Sequence, residues 1–117
     1  MKPKGRPKKY RIVQKEPQID RFSPRGKAGR PDEIDLSIDE FEAIRLANYL
    51  GKTQKEAAKS MRISQQTFSR ILKRAHRTIA DVLVNGKIIR IQGGHYLIGS
   101  DKKSPIKARS TPKKGTP

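Results

Sequence analysis

Two helix-start signals stand close together in this chain, at Thr53 and at Ser64, and the gap leaves room for one short helix and a tight turn. Thr53 with Glu56 has the Thr-x-x-Glu spacing of a capping box, in which side chain and backbone exchange hydrogen bonds at a helix start. Ser64 can cap the next helix in the same way. Between them lie Gln54 to about Met61, with Ala57, Ala58 and Met61 as inward residues, and then Arg62-Ile63-Ser64. Small side chains at Ala57 and Ala58 let the short helix approach its neighbour closely. Met61, Ile63 and Phe68 can fill the angle between the two.

The helix that follows, over about 65–84, is long. Phe68, Ile71, Leu72, Ala75, Ile79, Val82 and Leu83 fall on one stripe at helical period, and Asn85-Gly86 supplies a left-handed stop. An earlier helix, about 38–50, opens on a Ser37/Glu40 capping box and ends at Gly51. Its apolar residues Ile38, Phe41, Ile44, Leu46 and Leu50 favour one side, and Asp39, Glu40 and Glu42 suit the positive end of its dipole. Lys87–Ile91 looks like a strand that Gly93-Gly94 could turn into a hairpin with His95–Ile98. Tyr10–Val13 could add a short strand. Residues 17–35, punctuated by Pro17, Pro24, Gly26, Gly29 and Pro31, read as an irregular connection. The expected fold is mainly α: a helix-turn-helix of about three helices with a short strand or hairpin after the long helix. A domain over 10–99 is flanked by disordered basic tails, an arm at 1–9 and a tail at 100–117.

Charge gives this fold a direction. The formal net charge is +17, distributed as +9 over residues 1–30, −3 over 31–60, +6 over 61–92 and +5 over 93–117. That imbalance favours a polyanionic partner through steering and counterion release. On the long helix, opposite the apolar stripe, lie Gln66, Arg70, Lys73 and Arg77, flanked by Ser69 and Arg74, with Gln65 beside Gln66 in the first turn. Gln can pair bidentately with adenine and Arg with guanine, each worth roughly 1–3 kcal/mol of discrimination. Lys73, Arg74 and Arg77, further along, suit phosphates, which position without specifying. Lys52 and Arg62 could add backbone contacts. A bland amphipathic helix with a solvated basic face would look similar taken alone. The short capped helix, the three-residue turn and the polar-then-basic order favour double-stranded DNA.

These residues resemble a known family. Thr53–Ala58, Ile63–Leu72, Val84–Lys87, Ile91–Gly94, Asp39–Ala47 and the Arg-Pro-Lys-Lys at Arg6–Lys9 are similar to the uncharacterised protein family 0251, over roughly residues 6–94. Its members are small prokaryotic proteins expected to bind DNA, and the helix-turn-helix is also similar to the fourth region of sigma factors. The resemblance implies a transcriptional regulator. Two departures stand out. Arg62 occupies a turn position where relatives usually carry glycine, and a left-handed arginine there costs on the order of 1 kcal/mol unless the turn is remodelled. Relatives often have cysteines near the N-terminus, and this chain has none at all. Some relatives carry a second domain, where this chain has only a basic tail.

The N-terminal Lys4-Gly5-Arg6-Pro7-Lys8-Lys9 resembles an AT-hook, with Lys4 in place of a second arginine. Gly5 removes bulk and Pro7 biases Arg6 towards an extended shape that suits a narrow minor groove. Lys4, Arg6, Lys8 and Lys9 are therefore expected to contact the minor groove or backbone, with an unspecific basic tail as the alternative. Gly29-Arg30-Pro31 is followed by Asp32 and Glu33 and lacks the basic flank.

Other chemistry finds little support. Gly51-Lys52-Thr53 ends like a phosphate loop, but Leu46 stands where that loop needs glycine. His76 and His95 are too isolated for a metal site, no catalytic triad is legible, and no cofactor is implied. No apolar run reaches the ~20 residues of a membrane span, so a cytoplasmic, nucleoid-associated protein is expected. RNA binding or non-specific architectural binding is the alternative function. The acidic 32–42 face could also dock on RNA polymerase or another regulator. A homodimer is expected, joined through the 87–98 strands or the 38–50 helix.

Overall fold

The computed structural model describes residues 10–26, 29, 31–99 and 107–108. In chain order the elements are β1 (Arg11–Val13), β2 (Arg21–Phe22), β3 (Glu33–Leu36), α1 (Ile38–Ile44), a π-helical turn (Arg45–Tyr49), α2 (Gln54–Met61), α3 (Gln65–Asn85), β4 (Ile88–Ile91), β5 (Tyr96–Ile98) and β6 (Lys107–Ala108). The fold is mainly α with small strands. The arm at 1–9 lies outside the described residues.

All three spaced caps are in place. Ser37 Oγ accepts from the Glu40 N–H while Glu40 Oε1 accepts from the Ser37 N–H. Thr53 and Glu56 exchange the same pair of bonds, at 3.1 and 2.9 Å. Ser64 Oγ accepts from the Thr67 N–H at 3.0 Å. Each satisfies backbone donors that a helix start leaves open, an effect of about 1 kcal/mol per cap.

The helices stop where left-handed residues permit. Arg62 takes φ 58° and ψ 45°, so the turn is not remodelled around the missing glycine. The Ile63 N–H reaches back to the Ala58 carbonyl at 3.0 Å, closing the wide loop of a Schellman stop. Gly86, at φ 64°, ends α3.

The helix expected over 38–50 is α-helical only to Ile44. Beyond it the Leu50 N–H bonds five residues back, to the Arg45 carbonyl at 2.8 Å. The wider π turn rotates later side chains away from the register of α1. Leu46 stays fully buried, but Leu50 is half exposed and Tyr49 is largely in solvent.

Sheet formation departs most from expectation. Residues 17–35 contain two strands, β2 and β3. The hairpin around Gly93-Gly94 does not form. β4 sits between β2, antiparallel, and β3, parallel, while β5 pairs parallel with β1. Gly93 and Gly94, at φ 83° and 100°, carry the chain past the start of α1, where the Gly93 carbonyl accepts from the Ile38 N–H at 2.9 Å. Strands β4 and β5 each find longer-range partners than one another. Within the stretch expected to be a disordered tail, Lys107–Ala108 pairs antiparallel with β5; the rest of 100–117 lies outside the described residues.

The β3–β4 pair fixes the helices. Parallel neighbours need a long crossover, and here it is the whole run α1, π turn, α2 and α3. Both ends of the helical unit are thereby pinned to one sheet. α3 is its spine. Phe68, Ile71 and Leu72 close a core with Ala43, Leu46, Ala57, Ala58 and Met61. Ala75, backed by Ile79 and Val82, packs on Val13, Leu36, Ile38, Ile89, Ile91 and Tyr96. Leu83, expected on this stripe, is instead 76% exposed, while its neighbour Val82 packs on the core.

Candidate nucleic-acid interface

The surface of interest follows from the packing of α3. With Phe68, Ile71, Leu72 and Ala75 turned inward, helical period forces the opposite face outward. Gln65, Gln66, Ser69, Arg70, Lys73, Arg74 and Arg77 are all exposed, so the structure brings every sequence-singled residue of this helix to one open face. Among the described residues, neither Arg70 nor Lys73 has an acidic side chain within ion-pair distance. No acid occupies the first turn of α3, leaving the Gln65–Gln66 end, with its free backbone donors, electropositive.

Arg74 is different. Its Nε lies 3.4 Å from Glu40 Oε2, the carboxylate that also closes the α1 capping box. It is thus partly committed inside the chain, where sequence reasoning had it free for phosphates. Arg77 sits one turn before Asp81, whose charge is in turn engaged by Lys87 Nζ at 2.8 Å. That hydrogen bond, helped by one from Asn85, holds the Asp81 carboxyl below its ordinary value. At the start of α2, the Thr53 backbone N–H does the same for Glu56. Lys52 and Arg62 are exposed beside these helix ends, as the sequence suggested.

Most of the acidic block is paired within the chain. Of the six acids between residues 32 and 42, five are paired with arginine: Glu33 with Arg21 and Arg90, Asp35 with Arg90, Asp39 with Arg11, Glu40 with Arg74 and Glu42 with Arg45. Glu42 was expected to complement the α1 dipole. It is fully buried, held by both nitrogens of an Arg45 fork at 2.8 and 2.9 Å and by the Gln14 N–H at 3.1 Å. A carboxylate taken out of water without such partners would cost several kcal/mol. Sequence reasoning missed this cluster, because Gln14 and Arg45 are 31 residues apart. The Glu-x-x-Arg spacing of Glu42 and Arg45 was its only local sign.

The two histidines are exposed and make local contacts. His76 Nε2 lies 2.7 Å from Asn48 Oδ1, tying α3 to the π turn, and the His95 ring sits against Tyr10. Among the described residues no group of His, Cys, Asp and Glu could hold a metal ion, and no helix is long and apolar enough to cross a membrane. A separate groove of about 660 Å³, walled by Phe22, Phe41, Ile44, Tyr49 and Leu50, includes no residue of α3.

What these elements define is a small, mainly α protein that offers one face of a long helix, amide-tipped at its start and basic beyond. The chain belongs to the family of proteins of unknown function DUF134, whose model matches residues 1–99. It is 47% identical over 97 residues to a UPF0251 protein of Caldicellulosiruptor bescii, covering 83% of this chain and 68% of that one. It is equally similar over 96 residues to a UPF0251 protein of Methanococcus maripaludis, covering 81% and 74%. A UPF0251 protein of Desulfosudis oleivorans is also 47% identical, over 93 residues, 79% of this chain and 67% of that one. No solved structure matches the chain.

Proposed function

We propose that the chain is a sequence-specific double-stranded DNA-binding protein acting as a prokaryotic transcriptional regulator. In this reading α2 and α3 are a helix-turn-helix of the sigma region-4 kind. α3 enters the major groove, and the basic arm, with Lys4, Arg6, Lys8 and Lys9, lies on the minor groove or backbone. The observation that carries it is the outer face of α3. Gln65 and Gln66 stand open at the N-terminal turn, where a recognition helix meets base edges, and Arg70 and Lys73 follow without acidic partners. The pairing of the acidic block with arginines of the same chain supports it too. Little free negative charge remains among residues 32–42 to oppose a polyanion, and little to dock on a basic protein surface.

Selection from a random duplex pool at near-physiological salt tests this reading. Enrichment of a motif is expected. Retention of duplex with no enriched sequence would replace specific readout with architectural binding, and preference for structured RNA over duplex would favour the RNA alternative.

A further inference from the structure

Arg74 belongs to two parts of the molecule at once. It stands exposed on α3 with Arg70, Lys73 and Arg77, and its Nε lies 3.4 Å from Glu40 Oε2 on α1. Glu40 is the fixed partner. Its side chain is only 13% exposed, and its other oxygen, Oε1, accepts the Ser37 N–H at 3.0 Å in the capping box. Arg74 is 64% exposed, and among the described residues it makes no other polar contact. The two terminal nitrogens of its guanidinium are left for an outside group.

That group has a place to sit. Arg74, Arg77 and Thr78 line one shallow cavity of about 520 Å³ together with Ile34 of β3. Side chains three positions apart on a helix stand about 5–6 Å apart at Cβ, close enough for two guanidinium groups to share one anion. Among the described residues Arg77 has no acidic atom within ion-pair distance. Asp81, which also lines the cavity, is engaged by Lys87 Nζ at 2.8 Å and by Asn85 Nδ2 at 2.7 Å.

We propose that Glu40 is a positioning residue, which holds Arg74 so that Arg74 and Arg77 together grip one backbone phosphate at the flank of the α3 face. This role rests on the DNA-binding reading, but on duplex binding alone and not on sequence specificity. The physical gain is preorganisation. A free arginine loses rotamer freedom when it takes up a phosphate, and one already held on Glu40 loses less. Charge alone predicts the opposite effect for Glu40. An acid near a polyanion weakens binding, so its removal would then tighten the complex.

Glu40→Gln separates the two, because glutamine also closes a capping box at that position. The start of α1 is kept while Arg74 loses its charged anchor. Binding of the full chain to sheared duplex of mixed sequence, across a salt series and beside thermal melts, is the measurement. Glu40→Gln should melt close to wild type and bind about 3- to 10-fold more weakly at low salt, the effect of ordering one long side chain. In an Arg74→Ala background it should cause no further loss. Arg74→Ala with Arg77→Ala should lower the slope of log affinity against log salt by about 0.9 in all, since both serve one phosphate. Asp32→Asn calibrates plain charge: Asp32 is the acid of the 32–42 block outside the arginine pairs, and its removal should not weaken binding.

A Glu40→Gln protein that binds as tightly as wild type, or more tightly, overturns the positioning role. So does a weakening that persists without Arg74, which would mark a folding effect, or a slope that falls by about 1.8 in the double arginine variant. A wild type that retains no duplex even at low salt is a different result, and overturns the DNA-binding reading together with this inference.

Discussion

Gly94 passes so close to Asp39 that a Cβ placed on it would lie 2.7 Å from Asp39 Oδ1. Asp39 cannot readily retreat. It is buried in the first turn of α1, accepts a hydrogen bond from the Ser37 hydroxyl and faces Arg11 at 3.7 Å. Gly94 also holds φ 100°, which side-chain-bearing residues rarely adopt. Gly94→Ala should therefore destabilise the fold by about 2–3 kcal/mol, read from urea unfolding. Gly93, at φ 83° but with open space around its Cβ position, is the control: Gly93→Ala should cost only about 1 kcal/mol. Equal losses would mean that the approach to Asp39 carries no weight.

Arg62 presents the reverse case, a side chain where the backbone wants none. It is left-handed at φ 58°, and its side chain is exposed. Arg62→Gly should raise stability by roughly 0.5–1 kcal/mol, because relief of left-handed strain exceeds the added chain entropy. Thermal unfolding would show a melting temperature a few degrees higher. A lower one would mean that the turn owes its shape to the arginine side chain.

The cap of α2 has a pH signature. The Thr53 N–H holds Glu56 below its ordinary value of 4.5, so the folded state favours the carboxylate. A group whose pKa is lowered on folding adds stability above its unfolded pKa and loses it as pH falls through the folded one. The contribution is present at neutral pH and fades as pH drops below about 4.5. Glu56→Gln should flatten this limb of the stability–pH curve without changing the shape above pH 6. An unchanged acid limb would separate Glu56 from the pH dependence.

How much of this was legible in the sequence depended on range. Ser37, Thr53 and Ser64 were readable because a cap spans three residues. The outward face of α3 was readable because amphipathic period is local. Strands β2 and β3 were hidden because their partner β4 comes more than fifty residues after them. Gly93-Gly94 looked like a hairpin turn because a two-residue glycine turn and a linker between two sheets share one composition. The same limit applied within the candidate interface. Nothing near Arg74 announces Glu40, 34 positions earlier, so its partial commitment could be seen only in three dimensions. Leu50 and Leu83 carried the right period and were still exposed, the first turned by the π turn and the second beside Val82, which takes the place on the core.

Gln66 and Arg70 should read bases. Both are exposed and distant from the core, so Gln66→Ala and Arg70→Ala should leave the melting temperature within about a degree of wild type. On the selected duplex each should reduce discrimination against a wrong base pair by roughly 1–3 kcal/mol, about 5- to 150-fold. Lys113→Ala, in the basic tail, should leave discrimination unchanged. Competition binding against single-base variants of the site measures all three. Intact discrimination in both alanine variants would reduce α3 to a basic surface.

The arm separates affinity from specificity. Residues 1–9 carry five basic groups and no acid, and the Gly5-Arg6-Pro7 core suits a narrow minor groove. Each phosphate neutralised contributes about 0.9 to the slope of log affinity against log salt. Deleting residues 1–9 should therefore weaken binding most at low salt and flatten the slope by about two to four. On the proposed reading, in which α3 reads the core, the motif recovered by selection should keep that core. Filter binding across a salt series, run beside a second selection, gives both readouts. Unchanged affinity and slope would remove the arm from the interface, and loss of the core motif would make it a reader in its own right.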